Sequence, residues 1–171
     1  NKRFIVRGLK PVNWCFKCET ALAEAEVEYE DHTSPSVFVK FKVKEDKGLL
    51  RDSHLVIWTT TPWTLIANVA VAVHPEFSYS YIKTAKGNLV IADVRLAVLP
   101  QMGIDQYEVI KELKGKDLEG IIYDHPFGLR LGKVVLADYV SSEEGTGLVH
   151  TAPGHGAEDY QTGLKYGLET V

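Results

Sequence analysis

The sequence predicts an α+β domain that is mainly β, a curved or barrel-like sheet with a few peripheral helices. Three observations carry this. The stretch SVFVKFKVK (36–44) alternates with a period of two. It sets Val37, Val39, Phe41 and Val43 on one side and Phe38, Lys40, Lys42 and Lys44 on the other, as a strand with one buried face requires. Further short apolar runs of strand length follow: HLVIWTT, NVAVAV, SYSYIK, NLVIA and KVVLAD. The clearest helical segment comes late, from about Ala157. Many short strands with few helices favour a sheet that bends strongly or closes.

In order along the chain, residues 1–35 read as a lead-in segment and 36–171 as one globular domain. Within the lead-in, TALAEAEVEYEDH has the Ala and Glu content of a helix, but Val27 and Tyr29 suggest a strand toward its end, and the reading stays open. Turn signals fall at His74-Pro75, Gly87-Asn88 and Gly132-Lys133. DVRLAVLPQM (93–102) suits a short helix capped by Asp93. YEVIKELKGKDLEG (107–120) fits a helix or a strand equally. From Gly145 the chain is glycine-rich, then forms a short strand, then a helix that Gly167 would stop.

With 171 residues, 45% of them hydrophobic, the chain can build one real core. No apolar run approaches the roughly 20 residues that span a bilayer, so no membrane role is expected. A net charge of −4 argues against a protein that coats nucleic acid, but not against local contact with one nucleic-acid end. Asn1 in place of an initiator methionine suggests a piece of a longer protein. Two cysteines cannot organise a disulfide framework, so a reducing cytoplasm is expected.

Three stretches could carry chemistry. In VIWTTTPWTLIAN (56–68), Thr59, Thr60 and Thr61 stand in a row before Pro62. Threonine suits strand ends and proline stops strands, which gives a purely structural account. The other account turns the hydroxyls and turn amides toward a polar ligand. In GTGLVHTAPGHGAED (145–159), glycines allow close approach of a ligand, His150 ends an apolar run, and Asp159 opens a helix, where a carboxylate is favoured. Each residue alone has a bland explanation; their density points to a site. A Thr, His150 and Asp159 triad has no support in the spacing, since triads are spatial. In WCFKC, Cys15 and Cys18 have the spacing of half a zinc knuckle. No second pair exists here, so the isolated chain is expected to hold two reduced thiols and no metal. Any zinc site would be completed in the full protein.

WTTTPWTLIANVAVAVHPE together with GTGLVHTAPGHGAEDY resembles the editing domain of isoleucyl-tRNA synthetases. KPVNWCFKCETALAEAEVEYE resembles the segment that leads into it from the catalytic core. The resemblance covers nearly the whole chain. Thr61 and Trp63 stand where valyl and leucyl editing domains have arginine and an acid, which favours the isoleucyl branch. The resemblance implies hydrolytic proofreading of valyl-tRNA(Ile), with valyl-adenylate a further substrate. The partners would be the tRNA(Ile) 3′ end carrying valine and the remainder of the synthetase chain.

It also implies residue roles. Asp159 would bind the α-ammonium of the aminoacyl group. Thr59 and Thr60 would act with it at the ester, while Thr61, Trp63 and Asn68 would hold substrate. His150 would line the side-chain pocket and reject isoleucine. A positioned water, helped by the terminal ribose hydroxyl, is expected to cleave the ester. Neither an editing cofactor nor a covalent acyl-enzyme is expected.

Overall fold

The computed structural model describes Phe4 and residues 8–171. The remaining lead-in residues, 1–3 and 5–7, lie outside the description. Two short strands, β1 (Asn13–Cys15) and β2 (Thr20–Leu22), form an antiparallel hairpin that is a sheet of its own. A single turn of 3-10 helix follows at Glu24–Glu26, and no regular structure spans 27–36. The open segment TALAEAEVEYEDH is thus neither a continuous helix nor a long strand.

The other strands are β3 (Val37–Glu45), β4 (Ser53–Thr59), β5 (Ala70–Val73), β6 (Ser78–Thr84), β7 (Gly87–Ala92), β8 (Tyr107–Lys114), β9 (Ile122–Asp124), β10 (Leu131–Leu136) and β11 (Leu148–Thr151). They form one nine-stranded sheet in the order β11-β5-β10-β9-β3-β4-β7-β6-β8. Two pairs are parallel, β5 with β10 and β4 with β7; the rest are antiparallel. The sheet is open, with edges at β11 and β8, and strongly curled. Just before β11, Thr146 Oγ1 donates to Val56 O of β4 at 2.6 Å, and Thr146 O accepts from Ala92 N–H of β7 at 3.0 Å. One edge of the sheet therefore folds back onto its own middle. The expected curvature is present; the barrel does not close.

The curl creates the core. Phe41, Leu55, Ile57, Val71, Val73, Val90, Tyr123 and Leu148 meet inside it. Val56, Ile82, Leu89 and Ile91 face the other way, under a 3-10 helix at Asp93–Met102 that contributes Leu99. Ala70, Ala72 and Val135 face a third layer, against Tyr166 and Leu168. This explains the unbroken apolar runs in β4 and β5: both faces of each strand are buried, so alternation disappears. The small Ala face of β5 lets α2 (Ala157–Tyr166) lie close.

Some sequence expectations change. The segment 107–120 resolves into strand β8 and a single helical turn, α1 (Gly115–Leu118). Asp93 does not cap its helix. Ala92 occupies the cap position, and the Asp93 carboxylate instead accepts a 2.6 Å bond from Ser80 Oγ. Gly132-Lys133 is not a turn but lies inside β10. Gly132 pairs with Tyr123 across the ladder, and a Cβ there would penetrate the Tyr123 ring. The glycine marks a close approach, the other use of glycine in strands. The late helix begins at Ala157, and Gly167 ends it in the left-handed region at φ 60°.

Candidate functional site

The threonine run is built by local chemistry. Thr59 ends β4, and its Oγ1 accepts the Thr61 N–H at 3.0 Å. A hydroxyl that captures the amide two residues on competes with the sheet ladder and turns the chain. Pro62 then opens a 3-10 helix, Pro62–Ala67, at the position where a missing N–H costs nothing. The hydroxyls of Thr59 and Thr61 lie 3.2 Å apart, on one side as the alternation requires. Thr59 is buried, Thr60 half-buried and Thr61 exposed, so the run steps from the core to solvent. The Thr60 carbonyl accepts from Ser34 Oγ at 3.3 Å.

His150, in β11, joins this run through the helix. Its Nε2 is 2.8 Å from Thr64 Oγ1, and its Nδ1 is 3.2 Å from Asn68 Nδ2. The network assigns the ring's proton. Asn68 Nδ2 can only donate, so Nδ1 accepts. Thr64 Oγ1 spends its hydrogen on Thr61 O at 2.8 Å, so Nε2–H donates to Thr64. Burial, with repulsion from His155 and His125, pushes the His150 pKa down to about 4, and the ring is neutral at pH 7. With both nitrogens engaged, His150 offers a ligand carbon surface rather than a base or a cation.

Asn68 is fully buried. Its amide donates to Ala70 O at 2.8 Å as well as to His150, and its Oδ1 accepts from Tyr123 Oη at 2.6 Å. Burial raises the Tyr123 pKa strongly, which keeps that donor protonated. Trp63 is 68% exposed and makes no part of this network.

Asp159 lies in the first turn of α2, and its Oδ2 accepts the Ala152 N–H at 2.9 Å. Ala152 is two residues beyond His150. Burial raises the Asp159 pKa and Glu158 adds repulsion, while the Ala152 N–H opposes both. Among the described residues the Ala152 N–H is its one close hydrogen bond and no cation forms an ion pair with it, though His155 and the Tyr139 hydroxyl lie near enough to lower its pKa. A half-buried carboxylate so short of partners is suited to receive a cationic group. Two buried hydroxyls at the same end of the sheet, Thr151 Oγ1 and Tyr139 Oη, also lack partners.

His150 is thus joined to the threonine run through Thr64, and Asp159 is tied to the backbone two residues beyond His150. Asn68 bonds the His150 ring, and the exposed Trp63 takes no part in these bonds. A cleft of about 560 Å3 opens between the lead-in, from Lys10 to Asn13, and His155–Ala157 at the start of α2. The threonines, His150 and Asp159 do not line it, so it is not the expected pocket for a branched side chain. Cys18 N–H approaches Cys15 Sγ at 3.4 Å, a knuckle-like turn. The pair supplies two of the four donors a structural zinc needs, and the described residues hold no group of three such ligands. No helix among the described residues is long and apolar enough to cross a membrane.

Sequence reading passed over Thr64 and Tyr123. Thr64 had a signal, three residues after Thr61 in a proline-led turn. Tyr123 had none, because its partner Asn68 is 55 residues away.

Residues 1–112 match the family model for class I tRNA synthetases (I, L, M and V). The chain belongs to this family. It is 56% identical to the isoleucine–tRNA ligase of Carboxydothermus hydrogenoformans, over 99% of this chain and 18% of that protein. It is 54% identical to the isoleucine–tRNA ligase of Thermotoga maritima, over 98% of this chain and 18% of that protein. The chain thus spans less than a fifth of the curated relatives it matches.

The fold is similar to the cytosolic leucyl-tRNA synthetase editing domain of P. knowlesi, with a TM-score of 0.65 and 13% identity over 77% of this chain and 62% of that one. It is also similar to the corresponding P. falciparum domain, with a TM-score of 0.63 and 13% identity over 73% and 63% of the two chains.

Proposed function

We propose that this chain is the hydrolytic editing domain of an isoleucyl-tRNA synthetase, removing valine from mischarged tRNA(Ile). The need is physical. Valine and isoleucine differ by one methylene, which a hydrophobic pocket discriminates by only about 1–3 kcal/mol; the limit is already known for isoleucyl-tRNA synthetases, at about 150-fold. A second site that admits the smaller acyl group and hydrolyses its ester reverses the selection.

One observation supports this reading most. Asp159 is an under-partnered carboxylate held by the backbone two residues beyond His150, whose polar atoms are already engaged. That pairing suits an aminoacyl group: the carboxylate for its ammonium, the imidazole's carbon surface for its side chain. Thr59 and Thr60, with Thr61 at the solvent side, would orient the ester, the terminal ribose and a water, so that positioning and oriented donors supply the rate. Asn68 would act through His150, and Trp63 at the rim. A threonine nucleophile is disfavoured because the imidazole bonded to this run, His150, has no free lone pair to activate it. The 3′ end of valyl-tRNA(Ile) and the rest of the synthetase would be the partners, in a cytoplasm that keeps Cys15 and Cys18 reduced.

Deacylation of valyl-tRNA(Ile) and isoleucyl-tRNA(Ile) by the parent chain and His150→Ala tests the sieve. The parent should cleave only the valyl ester, and the variant both. Unchanged rejection of isoleucine by His150→Ala would remove His150 from that role.

A further inference from the structure

We propose that His125 and Arg130, at the two ends of the β9–β10 connection, are positioning residues for His150. They hold the C-terminal end of the 3-10 helix Pro62–Ala67, and through Thr64 and Asn68 they fix the imidazole's orientation and tautomer.

A six-residue 3-10 helix is intrinsically weak, and its last carbonyls need partners from elsewhere. Leu65 O takes the Asn68 N–H at 3.1 Å, and the further partners come from the loop joining β9 to β10, some sixty residues away in sequence. His125 Nε2 lies 2.9 Å from Leu65 O, and since a carbonyl only accepts, Nε2 carries the proton. The other nitrogen, Nδ1, accepts the Phe127 N–H at 3.1 Å, which locks the same tautomer from within the loop. Arg130 Nη1 donates to Ile66 O at 2.8 Å and to Asn68 O at 3.2 Å. The three carbonyls that end the helix and lead into β5 are thereby held from one side.

The loop is itself braced. His125 N–H donates to Arg130 O at 3.1 Å and Gly128 N–H to His125 O at 2.8 Å, with Gly128 at φ 69°. His125 is only 2% exposed, so its bond to Leu65 is shielded from water.

The held segment carries both groups that grip His150, Thr64 on Nε2 and Asn68 on Nδ1. Among the described residues no hydrogen bond joins His125 or Arg130 to His150 or to the threonine run. Apart from the direct repulsion between the two imidazoles, which His125→Gln and His125→Leu remove alike, their influence passes through the helix. If the helix end frays, Thr64 withdraws, the Nε2–H loses its acceptor, and the proton is free to move to Nδ1. Only the consequence for ester hydrolysis rests on the editing reading.

The test is ring 15N–1H NMR of the 171-residue chain labelled at histidine, at neutral pH. In the parent, His150 should show the Nε2–H tautomer alone, with slow exchange of that proton. His125→Gln can still place an N–H against Leu65 O and should leave the signal intact. His125→Leu and Arg130→Met should speed exchange about tenfold or more, the worth of one net hydrogen bond, or populate the Nδ1–H form. His150 signals unchanged in Arg130→Met and in a folded His125→Leu would overturn the proposal. So would equal disturbance by Gln and Leu at 125. Should His125→Leu not fold, Arg130→Met decides alone. In ester hydrolysis the disturbed variants should keep cleaving valyl-tRNA(Ile) but lose part of the parent's rejection of isoleucyl-tRNA(Ile). A parent without hydrolysis would count against the editing reading, while the NMR result still decides the positioning role.

Discussion

Asp159 has one observed role and one proposed role, and substitution can separate them. Its Oδ2 ties α2 to Ala152, and its charge is the proposed receptor of the substrate ammonium. Asn at 159 keeps an acceptor for the Ala152 N–H and removes the charge. Asp159→Asn should therefore unfold within about 1 kcal/mol of the parent, yet lose roughly a hundredfold in kcat/KM for valyl ester, as expected for a charge-assisted bond worth about 1.5–3 kcal/mol. Urea unfolding and deacylation kinetics check the two halves. A variant of parent activity would deny the ammonium role.

His150 makes a prediction about acid. Its folded pKa, about 4, lies below the ordinary 6.5. As pH falls through 6.5 the unfolded chain takes up a proton that the folded ring refuses, so stability is lost down to about pH 4 and then levels. The loss is bounded at about 3 kcal/mol. His125 and His54 shift in the same direction, and Asp159, whose pKa is raised, works in the opposite sense above 3.8. His150→Gln should flatten the fall of the urea midpoint between pH 6.5 and 4. An unchanged slope would mean that the ring is not buried neutral.

At the scale of elements, the site depends on a relay that begins in β10. Gly132 leaves room for the Tyr123 ring, which packs edge-on against Phe41 at 5.1 Å and sends its hydroxyl to Asn68. Asn68 then orients His150. Tyr123→Phe should cost about 1–3 kcal/mol by orphaning the buried Asn68 Oδ1. Gly132→Ala should cost at least as much, because the ring must move as well. Thermal or urea unfolding measures both, and neutral results would break the relay.

This relay also shows the limits of the sequence. The alternation of SVFVKFKVK and the Ala157 helix were legible because their causes are local. Gly132 read as a turn because glycine has two uses, and nothing local announces a ring arriving from β9. The segment 107–120 stayed undecided because β8 is an edge strand with nearly every side chain exposed, so no period is imposed on it.

For the molecule as a whole, curvature is what makes a site. The threonine run ends β4 and His150 sits on β11, strands separated by four others in the sheet. Thr146 closes the curl between β11 and the β4–β7 pair, and only then do the two segments meet. The two motifs that meet at His150 were legible in the sequence. How they meet was not, because it depends on long-range closure and on Thr64, a side chain that a strand-based reading does not weigh.

The most direct measurement is a crystal structure of the chain with a non-hydrolysable valyl-adenosine amide. The account predicts the ammonium within hydrogen-bond reach of the Asp159 carboxylate, the isopropyl group against the His150 ring, and the ribose beside Thr59–Thr61. An analogue seated in the cleft between the lead-in and His155, or anywhere that leaves Asp159 untouched, would contradict it.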